Sequence, residues 1–353
     1  MRDSFAMSQS SPITDPVLLE QAILGKINAR TTAKGEITFP CLPQLLDRYI
    51  RQIEQLFISL HKPFSAGEME NIRQMLAQNL ERGFRATPHA YVIFKYQPAQ
   101  PPKQGYICNF QLTGGSVAEQ YENWVRHRKP PLFGTHPDAK VMAIAKQLQP
   151  PQANPILDVG AGTGRNTIPL AQLGHPVDAI ELTSSFCQQM RSSAAEKSLP
   201  IAVTQGNVLD PTIRMQPAHY QLAVISEVIS HLRSTDDLRL LLAKMCDFLC
   251  PGGLLLFNLF LPVEGYELND REREWGQMTF SSIFSRSELA AAVDRLPLQV
   301  LSEESVYEYE KKHLPPQAWP PTGWFENWST GRDVFPVIAQ PPISLRWFLY
   351  RRL

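Results

Sequence analysis

Three glycines on alternate positions constrain this chain more than any other feature. They stand in the stretch Pro155-Ile156-Leu157-Asp158-Val159-Gly160-Ala161-Gly162-Thr163-Gly164-Arg165-Asn166. An apolar run feeds an acid, the glycines follow, and Thr167 to Leu173 continues with helix-compatible composition. The pattern predicts a buried strand, a tight turn and a helix start. Glycine takes positive φ at no steric cost, and without a Cβ it lets a ligand lie on the backbone. The spacing narrows the ligand. A dinucleotide fingerprint runs G-x-G-x-x-G and aims a helix N-terminus at the pyrophosphate. Here the spacing is G-x-G-x-G, and Asp158 precedes the first glycine by two positions. An acid there would repel a pyrophosphate and suit an ammonium group. The bland alternative is a glycine turn that only joins strand to helix.

A second apolar run, Pro176-Val177-Asp178-Ala179-Ile180-Glu181-Leu182, reads as another buried strand ending in an acid. A carboxylate at such a strand end can accept both hydroxyls of a ribose. Together, D-V-G-A-G-T-G and this acid resemble the class I S-adenosylmethionine (SAM) methyltransferases. The resemblance covers residues 116–353. It implies an α/β fold: a seven-stranded Rossmann-like sheet in the order 3-2-1-4-5-7-6 with strand 7 antiparallel. A small N-terminal α+β cap over 17–115 lies outside it, after a disordered lead-in.

The remaining strands are expected at Ile201–Gly206, Tyr220–Glu227, Leu254–Phe260, Leu298–Tyr309 and Ile343–Arg352. Helices are expected at 116–125, 136–149, 183–198, 236–249 and 285–295. The Cys250-Pro251-Gly252-Gly253 turn before an apolar strand is a further feature of the family. In the cap, helices are expected from Val17 to about Leu60, broken near Gly35 and Pro40. A capping-box pattern at Ser65 to Glu68 opens a helix reaching about Arg82. Two strands, 90–96 and 105–110, follow as a hairpin with a Pro-rich loop.

The resemblance also implies a cofactor site. Asp158 faces the amino-acid end of SAM, and Gly160, Ala161, Gly162, Gly164 and Asn166 pass beneath it. Glu181 and Leu182 take the ribose edge. Asn207 and Val208 take the adenine, although the family usually has an acid where Asn207 stands; an amide cannot copy a carboxylate there. Ser226 lines the fourth strand's mouth. Tyr121, three residues from Trp124 on the preceding helix, offers an aromatic face to the sulfonium; simple packing is the alternative. Past the fourth strand, His231 is the candidate base and Glu227 an orienting or catalytic acid. Packing or capping would also explain His231.

The chain of 353 residues balances 34 basic against 34 acidic side chains. That gives no basic field for nucleic acid. The D/N-P-P-Y/F/W motif of nucleic-acid amino methylation is missing after the fourth strand, and so is a Pro-Cys pair. No apolar run approaches the roughly 20 residues of a membrane span, and no signal peptide is visible. The five cysteines include no C-x-x-C and suit a reduced, cytoplasmic protein. Cys246 and Cys250 could share a metal or pack in the core; no metal site is expected. The insert from His313 to Pro336 carries Trp319, Trp324, Phe325 and Trp328. It reads as a lid over an aromatic-lined acceptor pocket, or as packing. A small-molecule acceptor is the expectation. The alternatives are a SAM-binding protein without turnover, or a methyltransferase acting on proteins. A nicotinamide dehydrogenase is disfavoured by the glycine spacing.

Overall fold

A computed structural model describes residues 15–100 and 105–353. Residues 1–14, most of the expected lead-in, and 101–104, the end of the expected hairpin loop, lie outside the described residues. The chain divides into two compact units, one ending at 114 and the other comprising 87–89 and 115–353.

The first unit holds helices α1 (Pro16–Arg30), α2 (Leu46–Ser59) and α3 (Ala66–Ala86), with strands β1 (Gly35–Pro40), β2 (Tyr91–Pro98) and β3 (Tyr106–Thr113). The strands form an antiparallel sheet in the order β1-β2-β3. Strand β1 corrects the expectation of helices broken at Gly35 and Pro40. Glu36-Ile37-Thr38-Phe39 is β-compatible, and pairing with β2 turns Phe39 into the core. Apolar residues at helical spacing close the other side: Tyr49, Ile53 and Phe57 from α2, and Ile72, Leu76 and Leu80 from α3. Ser65 and Glu68 form the expected box, with Ser65 N–H donating to Glu68 at 2.8 Å.

The second unit is α/β. In chain order it contains α4 (Val117–His127), α5 (Ala139–Ala145), β4 (Ile156–Val159), α6 (Thr167–Gln172), β5 (Val177–Glu181), α7 (Ser184–Glu196), β6 (Ile201–Gln205) and β7 (Tyr220–Ile225). There follow α8 (Thr235–Phe248), β8 (Leu249–Pro262), α9 (Asp270–Met278), α10 (Arg286–Val293), β9 (Leu298–Ser305), α11 (Val306–His313), α12 (Phe325–Ser329) and β10 (Ile343–Arg352). The sheet order is β6-β5-β4-β7-β8-β10-β9. Strands β4 to β8 run parallel, while β10 is antiparallel to both β8 and β9. This is the expected order 3-2-1-4-5-7-6.

The central strands are buried on both faces, so they read as continuous apolar runs rather than alternations. Their alternate side chains feed two cores. Leu157, Val159, Ala223, Ile225, Leu255 and Phe257 pack with α8 and α10. Ile156, Leu222, Val224, Leu256 and Phe260 pack with α5, α6, α11 and α12.

Two expectations need correction here. The strand expected to reach Tyr309 stops at Ser305. The hydroxyl of Ser305 caps the backbone N–H of Glu308, and α11 begins. Cys250 lies in β8, after α8 has ended at Phe248, so it does not share a helical face with Cys246. No group of three or more metal-ligating side chains gathers among the described residues. Helix α9 was not foreseen; the Asn269–Glu272 capping box that opens it was readable in the sequence.

Candidate active site

The glycine turn leaves β4 with Gly160, Gly162 and Gly164 at φ of 70°, 55° and 87°, a region that L side chains rarely adopt. Gly160 is needed for a second reason. A Cβ there would lie 2.2 Å from Val228 Cγ2, so the clash of a larger side chain falls first on the protein. At Gly162 the nearest neighbour of a Cβ would be Phe133, 3.7 Å away. Glu181, at the end of β5, is buried and locked to this turn. Its Oε2 accepts Gly162 N–H at 2.9 Å and its Oε1 accepts Thr183 N–H at 2.7 Å. An ionised carboxylate has about four acceptor positions, so each oxygen keeps one for a ligand hydroxyl.

Asp158 is buried beneath the turn and accepts the Thr167 hydroxyl at 2.6 Å. Burial pushes its pKa from 3.8 up to about 6, against the pull of that hydrogen bond. Asn166 spends both ends of its amide on Asp138. Its Oδ1 accepts Asp138 N–H and its Nδ2 donates to Asp138 Oδ2, both at 2.9 Å. Ser226 also donates to Asp138 Oδ2, at 2.8 Å. Asn166 and Ser226 therefore brace the site through Asp138 while lining it. Asn207 accepts Leu209 N–H at 3.0 Å, which fixes the loop after β6. Val208 is buried and Leu182 is 37% exposed.

Sequence reasoning missed Asp138, Arg165 and Asn258. Arg165 follows the third glycine and is almost fully buried. It pairs with Asp138 through both terminal nitrogens and reaches Glu227 at 2.8 Å. Glu227 has φ of 62°, a strained backbone costing of order 1 kcal/mol. Asn258 of β8 holds it there by accepting Glu227 N–H at 2.8 Å. Burial raises the Glu227 pKa above its usual value, and Arg165 opposes that rise. Arg165 could have been suspected from its place after the glycines. Nothing in the residues around Asp138 or Asn258 announces them.

His231 ends a single 3-10 turn after β7. Its Nε2 lies 3.0 Å from the hydroxyl of Tyr121 on α4. Burial drives its pKa down to about 4, so the ring is neutral near pH 7. Around the pair stand Trp124, Phe133, Phe186 and Phe280, each with its ring centroid within 6.2 Å of the Tyr121 ring. Phe133 comes from the stretch between α4 and α5.

One cavity of about 800 Å³ joins these groups. All the site residues named from the sequence border it except Gly164; Asp158, Gly160, Ala161, Gly162, Asn166, Glu181, Leu182, Asn207, Val208, Ser226, Glu227, His231 and Tyr121 all do. Gly164 faces Ile168 and Met190 instead. Trp324 and Trp328 also border the cavity, but they differ. Trp328 is only 5% exposed and its indole N–H donates to the Phe280 carbonyl at 2.9 Å. The insert is therefore packed as well as lining.

The sequence model of a methyltransferase domain matches residues 156–253. The probable nonribosomal peptide synthetase CymA of Salinispora arenicola (strain CNS-205) is 27% identical over 101 residues, which is 29% of this chain and 1% of that protein. The chain thus spans a very small part of the length of that relative. Among solved structures, geranyl diphosphate methyltransferase in complex with GPP and sinefungin is similar at 16% identity and a TM-score of 0.49, over 61% of this chain and 77% of that one. Geranyl diphosphate C-methyltransferase from Streptomyces coelicolor A3(2) is similar at 14% identity and a TM-score of 0.48, over 67% and 97%.

Proposed function

We propose that this chain, whose residues 156–253 match the model of a methyltransferase domain, methylates a small-molecule acceptor inside the aromatic half of its cavity. One observation carries this reading. A single cavity runs from the glycine turn and Glu181 to the wall made by Tyr121, Trp124, Phe280 and His231. Its volume of about 800 Å³ is near the top of the roughly 300–1,000 Å³ usual for small-molecule sites, which suits a cofactor and an acceptor side by side.

The residues fit S-adenosylmethionine by their chemistry. Asp158 and Glu181 are buried acids whose hydrogen bonds come from neutral donors, the Thr167 hydroxyl and two backbone N–H groups. A ligand bearing positive charge near Asp158 and a hydroxyl pair at Glu181 completes both. When bound, S-adenosylmethionine supplies a methyl group on a positively charged sulfur. The chain's own task is to hold the acceptor in line and keep water out. The rings of Tyr121, Trp124 and Phe280 provide an apolar wall for that. His231 takes the proton that the acceptor loses. A neutral imidazole with a depressed pKa is a weak base, adequate for a nucleophile whose proton becomes acidic as the new bond forms. Glu227, fixed by Arg165 and Asn258 at the mouth of β7, orients the ligands at the boundary of the two halves.

The test is transfer of label from S-adenosylmethionine carrying an isotopic methyl group, screened over metabolite and macromolecule fractions of cell extract. Label in a small metabolite, lost in His231→Ala and Trp124→Ala variants, is the expected result. Label entering protein or nucleic acid alone would overturn the small-molecule reading.

A further inference from the structure

Glu122 is the neighbour of Tyr121 on α4; Tyr121 lines the cavity, while Glu122 reaches the start of α7 outside it. Glu122 Oε1 accepts the backbone N–H of Ser185 at 3.0 Å, and its Oε2 accepts the Ser185 hydroxyl. Ser185 lies in the first turn of α7, a helix of 13 residues. The free N–H groups and dipole of such a helix start favour a carboxylate. At the cavity, the Tyr121 hydroxyl meets His231 at 3.0 Å.

Besides these bonds, α4 is held by the Tyr121 and Trp124 rings, which pack against Phe133, Phe186 and Phe280. None of its residues is fully buried. Residues 128–138, which connect it to α5, form neither helix nor strand. The anchor on α7 is also tied to the ligand side. Thr183, the residue just before α7, donates its N–H to Glu181 at 2.7 Å. The carboxylate that faces the ribose position and the turn that receives Glu122 therefore stand on one short segment.

We propose that Glu122 is a positioning residue: it latches α4, which lines the cavity through Val117, Tyr121 and Trp124, onto the first turn of α7, and ligand exchange at the cofactor half requires that latch to open. The inference rests on the cofactor reading above. It assigns Glu122 no contact with either ligand. Its effect passes through Tyr121, which is set against His231 only while α4 is docked.

Stopped-flow release of S-adenosylhomocysteine, followed by tryptophan fluorescence, is the direct test. Glu122→Ala should release it about tenfold faster than the unaltered protein, the loss expected for charge-assisted hydrogen bonds. Ser185→Ala and Glu122→Gln should fall between, and Glu122→Asp should recover part of the difference. Hydrogen exchange over residues 117–127 in the ligand-free protein provides a second readout. It should quicken in Glu122→Ala while exchange in the β4 and β7 amides stays unchanged. Unchanged release in Glu122→Ala overturns the gating role, even if exchange over α4 quickens. If the unaltered protein binds no S-adenosylhomocysteine, the cofactor reading fails and gating fails with it. Exchange over α4 then shows separately whether Glu122 docks the helix.

Discussion

At the scale of single residues, the site rests on a few buried acids and the glycines beside them. Glu181→Gln should weaken S-adenosylmethionine binding by about 1.5–3 kcal/mol, because a charged acceptor is replaced by a neutral one. Isothermal calorimetry checks this, and unchanged affinity would remove Glu181 from the ribose edge. Gly160 and Gly162 should separate stability from binding. A Cβ at Gly160 meets Val228 Cγ2 at 2.2 Å, whereas one at Gly162 meets nothing closer than 3.7 Å. Gly160→Ala should therefore lower the melting temperature more than Gly162→Ala does, and adding Val228→Ala should restore part of that loss. Asp158 sets a pH dependence. Its folded pKa is raised from 3.8 to about 6, so the stability it contributes is complete below pH 3.8 and lost as pH rises through 6. A cation bound beside it favours the ionised form, so cofactor affinity should rise between pH 5 and 7. Asp158→Asn should flatten that rise; an equal slope in the variant would show that another group titrates. Much of this was legible, since the glycines and Glu181 announce themselves by spacing. The Arg165, Asp138 and Asn258 contacts were not, because they join residues far apart in sequence that only the closed sheet brings together.

Elements show where periodicity suffices and where capping decides. The central strands of the second unit were readable because burial on both faces leaves an unbroken apolar run. Strand β1 was not, since its neighbours on either side are helical and only pairing with β2 buries Phe39. The end of β9 was misplaced for a similar reason. Tyr307 and Tyr309 look β-compatible, yet the Ser305 cap starts a helix there. The insert carrying the tryptophans divides in two under the same scrutiny. Trp328 packs edge-on to Phe260 and donates to the Phe280 carbonyl, so Trp328→Ala should cost about 3–5 kcal/mol of stability. Trp324 is half-buried at the cavity wall. Trp324→Ala should instead raise KM for the acceptor while S-adenosylmethionine affinity stays within a few-fold. A thermal melt of each variant separates the two roles. A melting loss for Trp324→Ala as large as that for Trp328→Ala would make both of them core.

At the scale of the whole molecule, the expected strand order was legible because each strand, helix and turn of the second unit falls in sequence where such a sheet requires it. What the order entails is a hazard as well as a scaffold. Among the described residues, β10 is the last strand in sequence, yet it lies between β8 and β9. Until it is in place, β8 presents Leu254-Leu255-Leu256-Phe257 and Leu259-Phe260-Leu261 along an open edge, with unpaired backbone donors and acceptors. Strand β9 meanwhile lacks a sheet neighbour, because among the described residues it pairs with β10 alone. A chain interrupted before Ile343 would not be the same sheet missing its margin. It would be a sticky half-sheet, prone to recruit β8 from another copy, and its fate would be aggregation or proteolysis rather than reduced turnover.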